Sequence, residues 1–470
     1  MYSSSRYGVN RSRFSRSLCG AKLKTNGIIV SLVICIICSA PAGAAEPKVN
    51  GFLHEVNGQR ILHVWGTHYE MGYAHGYLLA DDIMQMFNDY ILYLLPKAIY
   101  EPAHYVMPLW FALEDEYREE VQGLLDGMID SGFGLFIPHL GRDLDLDDLI
   151  FCNALGDIGA MACSTQMAWG PATENDAQLQ GEMAVVRNLD WALFGPDRFL
   201  LAEKTIVLVF TPTVNQGQTV ASVSFPGFFG CLSCINEEGV TAVVNIAHNG
   251  VPLWEIDLVE RFYHSGLTLR EALHAGDLNQ DGQTNLRDVS ELFAARHRSG
   301  AIVINMAQPA AGGGEDPAVV IEADNKGLVL RTPLDEPGWY DDILLATNDL
   351  RILRPFEPCD RYDEMKKQIT ERGGKLTLDE MWSILSLVQQ ESFLSTTAQS
   401  IYFIPSTLEI GMAYSDGETM SCDKSPSRLT WEDITALPEG VDLPDDDTSV
   451  GNDDDQADHG SDDAKTGGCG

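Results

Sequence analysis

Positive charge is scarce in this sequence: 470 residues carry 31 Lys and Arg against 69 Asp and Glu. That balance argues against a nucleic-acid partner gripped through a basic face, and no stretch is built to hold phosphates. Long apolar runs are also missing. The one from Gly27 to Cys38 is twelve residues, whereas a bilayer-spanning helix needs about 20, so stable membrane insertion is not expected. There is no His-Glu-x-x-His, and His63, His68 and His75 are too far apart for a metal motif, which leaves them as core or surface histidines. Ser224-Phe225-Pro226-Gly227 lacks the Gly-x-Ser-x-Gly setting of a serine nucleophile. Cys231 and Cys234 form a Cys-x-x-Cys with no second such pair, so a disulfide or two buried thiols is a better reading than zinc. No internal repeat is visible.

What is present begins with a leader. Residues 1–45 hold Arg6, Arg11, Arg13, Arg16, Lys22 and Lys24 and no acid, then the apolar run, then Ser39-Ala40-Pro41-Ala42-Gly43-Ala44-Ala45. This is the pattern of a signal peptide with a small-residue cleavage site, and it predicts a secreted or periplasmic protein. Seven cysteines follow it: Cys152, Cys163, Cys231, Cys234, Cys359, Cys422 and Cys469. An odd number outside the cytosol implies a free thiol. The far end, residues 436–470, reads as an acidic tail without fixed structure, with ten Asp between Asp442 and Gly470.

Between these ends the chain is rich enough in apolar residues, 45%, to bury one large core or two smaller ones. Residues 46–162 read as mainly helical, with apolar residues at helical spacing from Tyr69 to Leu95 and from Leu109 to Ile129. From Met183 onward come short β-branched runs: Ala184–Arg187, Thr205–Phe210, Val220–Phe225, Val240–Asn245, Ala301–Asn305, Val319–Glu322 and Leu328–Arg331. Helical segments are expected over Leu258–Ala275, Leu286–Arg298 and Leu378–Gln389. Strands in the middle with helices grouped around them point to a layered α+β fold.

Asp277-Leu278-Asn279-Gln280-Asp281-Gly282-Gln283-Thr284-Asn285-Leu286-Arg287-Asp288 has oxygen ligands at loop positions 1, 3 and 5, Gly at 6 and an acid at 12. This is the spacing of a calcium loop, set between two helical segments and resembling a dockerin repeat. Asp277, Asn279, Asp281, Gln283 and Asp288 are the expected ligands of a structural Ca2+; no organic cofactor is expected.

The chemistry is carried by Cys163-Ser164-Thr165, followed 24 and 27 residues later by Arg187 and Asp190 in Val186-Arg187-Asn188-Leu189-Asp190-Trp191. With Gly66-Thr67-His68-Tyr69-Glu70-Met71-Gly72 and His75-Gly76 before it, and Phe225 to Gly230, Asn236 to Val240, Asn245 and Ala346-Thr347-Asn348 after it, this order of motifs resembles the choloylglycine hydrolase and penicillin V acylase family. Isopenicillin N acyltransferases and acid ceramidases are its relatives, and the likeness runs over roughly residues 50–420. It implies an N-terminal-nucleophile hydrolase with a four-layer αββα sandwich. In such a hydrolase residues 163–435 are the catalytic subunit and 46–162 a propeptide or small subunit that stays associated after cleavage. By the same resemblance Cys163 is the nucleophile, Arg187 favours its thiolate, Asp190 holds the new ammonium, Asn245 donates to the oxyanion, and Asn348 positions the amine and the oxyanion. Ala162 stands where the acyltransferases have Gly, and the additional active-site arginine of the bile-salt enzymes has no visible counterpart.

The arrangement has a reason apart from any family. A thiol titrates near ~8.5 and a free α-amine near ~7.7–8.0, so placing both on one residue gives the thiol its own base. That amine exists only once the peptide bond before Cys163 is cut. The expected substrate is a small N-acyl amide with a linear, non-peptide C–N bond, attacked through an acyl-thioester; Trp169, Trp191 and Phe194 are candidates for an acyl pocket. Two alternatives stand beside this: a phospholipase B-like hydrolase of lipid esters, and a catalytically silent, calcium-dependent binding module on the same fold.

Overall fold

The computed structural model describes residues 47–158, 162–213, 217–251, 255, 260–280, 285–310, 317–355, 358–392, 395–441 and 443. The expected signal segment, nearly all of the stretch from Asp442 onward, and Asp281 and Gln283 of the calcium loop lie outside them.

From Val49 onward the chain forms one compact unit built on two sheets. The larger has nine strands in the spatial order Gly51–Val56, Gln59–Gly66, Ile206–Pro212, Val220–Ser224, Ser233–Asn236, Thr241–Ile246, Ile302–Ala307, Ala318–Asp324 and Gly327–Arg331. Its neighbours are antiparallel except Gln59–Gly66, which runs parallel to Ile206–Pro212. The smaller sheet has six antiparallel strands: Ile343–Ala346, Ala162–Ala168, Ala184–Trp191, Thr396–Ile404, Glu409–Tyr414 and Ser427–Leu429.

Alternation along the strands sorts side chains into separate cores. Ile61, Val207, Val209, Val243 and Val303 of the large sheet share an apolar cluster with Met167, Val185, Ile401 and Phe403 of the small one. The opposite face of the small sheet, through Val186, Leu345 and Tyr402, packs on helices Asp360–Glu371 and Leu378–Leu387. The large sheet's opposite face is covered in two patches. Val244, Ile304 and Ile321 meet helices Ser265–Ala275 and Leu286–Ala295, and Leu62, Ile206 and Leu208 meet the helices that precede Cys163.

Two of those preceding helices, His68–Met86 and Asp115–Asp130, touch backbone to backbone. A Cβ on Gly72 would lie 1.9 Å from the Glu120 carbonyl oxygen, and one on Gly123 would lie 2.2 Å from that of Tyr69. Gly76 and Gly127 repeat the contact one turn on. Only residues without a side chain permit this approach.

The region before Ala162, expected to be mainly helical, also carries strands. Gly51–Val56 and Gln59–Gly66 form a hairpin, turned at Asn57 and Gly58 with φ of 52° and 77°, the pair of left-handed residues that a two-residue turn matching the strand twist requires. The expected helix from Leu109 to Ile129 is two elements. Lys97–Trp110 stops where Phe111 turns extended to pair with Phe262, and Asp115–Asp130 starts after an extended Glu114. The segment expected to be helical from Leu258 begins its helix only at Ser265, because Phe262 and Tyr263 are in that short pairing. Among the described residues no helix is long and apolar enough to cross a membrane.

Candidate active site

Cys163 is fully buried on the strand Ala162–Ala168. That strand is second in the order of its sheet. The edge strand Ile343–Ala346 pairs only as far as Thr165, so the Cys163 amide has no strand partner on that side. The side chain of Asn348, two residues past that strand, takes its place: the Cys163 N–H donates to Asn348 Oδ1 at 2.8 Å. The Asn348 amide is held in this sense by Nδ2 donating to the Ile246 carbonyl at 2.6 Å.

Ala184–Trp191 pairs on the other side, with Cys163 opposite Leu189. Alternation turns Arg187 inward beside the thiol and Asp190 toward the other face. Arg187 Nη2 lies 3.2 Å from Cys163 Sγ and donates to the Val244 carbonyl at 2.6 Å; Nη1 donates to the Leu232 carbonyl at 3.1 Å and to the Ser233 hydroxyl. Among the described residues no carboxylate forms an ion pair with this buried guanidinium. Burial pushes the Cys163 thiol above its ordinary value, and the adjacent Arg187 charge pulls in the opposite direction.

Asp190, also fully buried, forms no ion pair with Arg187, although the Arg187 charge acts on it through space. It accepts from the Thr397 hydroxyl at 2.6 Å and faces Arg361 Nη1 at 3.4 Å. Burial raises its carboxyl to about 6 against the opposing pull of Arg361. Arg361 was absent from the expected residues and ties the nitrogen side of the site together. Its Nη1 donates to the Cys163 carbonyl at 2.6 Å and its Nη2 to Asn348 Oδ1 at 2.7 Å. Standing alone near the start of a helix, Asp360–Glu371, it has no motif around it; the only signal was the arginine missing from the family pattern.

Asn245 lies on a strand of the large sheet that packs against the strand of Cys163. Nδ2 donates to the Thr347 carbonyl at 3.1 Å and Oδ1 accepts from the Thr165 hydroxyl at 3.1 Å. The Thr347 carbonyl can only accept, which fixes the amide in this sense. One of the two N–H groups of the expected oxyanion donor is thus engaged with Thr347.

Beside the site lies an apolar cavity of about 650 Å³ including its open mouth. The segment before Cys163 supplies Ile83, Phe87 and Leu155, and the segment after it supplies Trp191, Phe228 and Leu232. Of the aromatic candidates only Trp191 lines it. Trp169 is in the core between the sheets, and Phe194 borders a separate cleft with Arg198 and Glu391.

Of the calcium-loop candidates, Asp277, Asn279 and Asp288 are described. The Asp288 carboxylate accepts from the Asn279 and Asn285 amides at 3.0 and 2.9 Å and closes the capping box of Leu286–Ala295. Elsewhere among the described residues, His104, Asp145 and Asp148 bring possible ligand atoms within 4.8 Å of one another. Arg142 already donates twice to Asp148, at 2.6 and 2.7 Å, so this group is a compensated ion-pair cluster.

No protein-family model matches the chain. Among curated proteins it is similar to an uncharacterized protein of Archaeoglobus fulgidus, 24% identical over 45% of this chain and 38% of that one. It is also similar to protein dcd1B of Dictyostelium discoideum, 27% identical over 53% of this chain and 54% of that one. The chain thus spans about half or less of the length of the curated relatives it matches. Among solved structures it resembles a Caenorhabditis elegans N-acylethanolamine-hydrolyzing acid amidase ortholog, with TM-score 0.37 and 19% identity over 52% of this chain and 93% of that one. A conjugated bile acid hydrolase from Clostridium perfringens gives TM-score 0.35 and 12% identity, over 58% of this chain and 95% of that one. Penicillin V acylase from Agrobacterium tumefaciens gives 0.32 and 10%, over 53% and 83%.

Proposed function

We propose that this chain is an exported, self-processing amidohydrolase of the N-terminal-nucleophile kind, with Cys163 as nucleophile and the two facing sheets as an αββα sandwich. The observation that carries the reading is Arg187: a buried guanidinium that, among the described residues, forms no ion pair with a carboxylate and whose Nη2 touches the Cys163 sulfur. A buried charge without a contacting counter-ion is costly; Asp190 acts on this one only through space, and a thiolate at Cys163 is the anion that would meet it directly.

In the uncut chain the thiol attacks the Ala162 carbonyl carbon. The C–S bond forms, the C–N bond breaks, and the departing nitrogen takes a proton to become the α-amine of Cys163. Water then opens the thioester to leave an Ala162 carboxylate. The new amine emerges where Asn348 Oδ1 now accepts, with Asp190 and Arg361 around the same residue. Asp190 compensates the ammonium form, while the Arg361 charge favours the neutral amine, so the two bracket a group that must both accept and return a proton.

In turnover the thiolate adds to the substrate amide carbon. The leaving nitrogen takes its proton from the α-ammonium, and the amine thus freed takes one from the water that hydrolyses the acyl-thioester. The oxyanion needs a donor, and Asn245 fills that role with the second N–H of its side-chain amide, the first being held by the Thr347 carbonyl. Losing such a donor typically costs roughly 100- to 1,000-fold in rate. The adjoining apolar cavity favours an apolar acyl group on a linear N-acyl amide, with both halves of the cut chain, still associated, forming its walls. If the loop from Asp277 to Asp288 takes a Ca2+, Asp277, Asn279, Asp281, Gln283 and Asp288 are its ligands; the ion steadies two helices and takes no part in the reaction.

The test is the intact mass of the purified protein under denaturing conditions, wild type beside Cys163→Ala. Two wild-type fragments meeting at Ala162 and Cys163, with an unbroken variant, are expected. An uncut wild type would sink the proposal and leave the binding-module alternative. Melting with and without a calcium chelator tests the loop, and an unchanged midpoint removes the ion.

A further inference from the structure

Arg187 is held from one side by a short covalent ring. Cys231 and Cys234, both fully buried, are joined in a disulfide, and the two residues inside that ring are the ones that receive Arg187 Nη1: the Leu232 carbonyl at 3.1 Å and the Ser233 hydroxyl. The ring is anchored in turn. The Cys231 amide donates to the Gly266 carbonyl at 2.9 Å, and the Leu232 carbonyl also accepts from the Val244 amide at 2.9 Å. Val244 is the residue whose own carbonyl takes Arg187 Nη2 at 2.6 Å.

A bridge across so few residues removes little conformational freedom from the unfolded chain. Its main effect is local: it fixes the backbone of Leu232 and Ser233, and with it the direction of two acceptors. Because among the described residues Arg187 has only neutral acceptors besides the sulfur, and its Nε has no partner there, no other described group on the Nη1 side would keep its charge at 3.2 Å from Cys163 Sγ.

We propose that the Cys231–Cys234 disulfide and Ser233 are positioning elements for Arg187, and that opening the bridge weakens the Cys163 nucleophile. A dithiol reductant opens it by giving up two electrons and two protons: the S–S bond breaks, two S–H bonds form, and the reductant closes into its own disulfide. The activity is then coupled to the redox state of a Cys-x-x-Cys that takes no part in the reaction. The inference rests on Cys163 being the nucleophile.

The experiment follows alkylation of Cys163 by iodoacetamide against pH, with the Cys163-containing peptide quantified by mass. It compares wild type, Cys231→Ser/Cys234→Ser, Ser233→Ala and Ser233→Thr in the full chain, each with its thermal midpoint. The double variant is expected to shift the alkylation midpoint up by about one pH unit, which lowers labelling at neutral pH about ten-fold. Ser233→Ala should shift it less, and Ser233→Thr, which keeps the hydroxyl, should return it to the wild-type value. A double variant that melts earlier but keeps the wild-type alkylation midpoint would overturn the proposal, because a purely structural staple behaves that way. Should the double variant fail to accumulate, the Ser233→Ala and Ser233→Thr pair decides on the same readout. A wild-type Cys163 that takes no label at any pH overturns the nucleophile reading and this inference together, whereas a normal wild-type profile with unmoved variants overturns only this one.

Discussion

The two largest fully buried side chains of the molecule are both arginines, Arg187 and Arg270, and their surroundings are opposite. Arg270 donates to Glu120 at 2.6 Å, to His274 at 2.9 Å and to the Phe229 carbonyl at 3.0 Å, and lies over the Phe210 ring at 3.5 Å. Glu120 is completed by His68 at 2.7 Å. Although burial alone would raise the Glu120 carboxyl, Arg270 and His68 hold it at about 2. Among the described residues Arg187 is in contact with neutral acceptors and a sulfur, and Asp190 acts on it only through space. The first arginine meets its counter-ion directly; the second does not. Burial of a charge is therefore uninformative by itself, and what sets Arg187 apart is that its counter-ion is not in contact with it.

Replacing each arginine's interactions separates the two cases. Arg187→Met should reduce Cys163 alkylation and self-cleavage about 1,000-fold, about 4 kcal/mol in barrier, with unfolding free energy changed by less than about 1 kcal/mol, since the cost of burying the charge disappears together with the hydrogen bonds it made. Denaturant melts beside alkylation rates would break the comparison if stability fell instead. Glu120→Gln should do the reverse, lowering stability by about 3–5 kcal/mol by stranding Arg270 while the folded fraction still labels at Cys163.

Acid gives the next effect. Burial, the largest influence on each, holds His63 and His75 at about 4 and His274 at about 3, below the unfolded value of about 6.5. The unfolded chain therefore binds more protons below that value. Stability is full above pH 6.5 and is lost as pH falls toward 4 and then 3, by several kcal/mol in total on the order of magnitude that linkage allows. Melting midpoints across that range test it. Asp190 has the opposite sign: with its carboxyl raised to about 6, the folded state binds the extra proton, and ionisation costs stability as pH rises from about 4 to 6. Its charge is needed beside the new ammonium, so self-cleavage should fall about ten-fold per pH unit below 6. The smallest effect is expected for Arg361→Lys, a several-fold slower cleavage, because an ammonium cannot serve the Cys163 carbonyl and Asn348 together.

Much of this was legible in the sequence, for reasons that differ by element. The strands from Ala184 to Arg331 follow β-branched runs, and Asn348 was recognisable in Ala346-Thr347-Asn348. The first hairpin was equally readable, since Asn57-Gly58 between two alternating runs is a turn signal, but helical spacing further on drew the whole region toward helix. The end of Lys97–Trp110 was set by a tertiary pairing of Phe111 with Phe262, which local periodicity does not report. Arg361 meets Asp190 across 171 residues and is placed only by folding. Asn245 was found by motif, while its hydrogen bonds to Thr165 and Thr347 are set by folding.

The parallel pairing of Gln59–Gly66 with Ile206–Pro212 carries one more consequence. Cutting before Cys163 would turn a single thread into two interwoven pieces, one of which supplies two strands and the glycine-tight helix pair to a sheet completed by the other. Unfolding would then discard the connection that first brought them together, and recovery would become a second-order encounter, dependent on concentration. Such a protein assembles once: diluted after melting, it stays apart, whereas the uncut Cys163→Ala chain finds its way back alone.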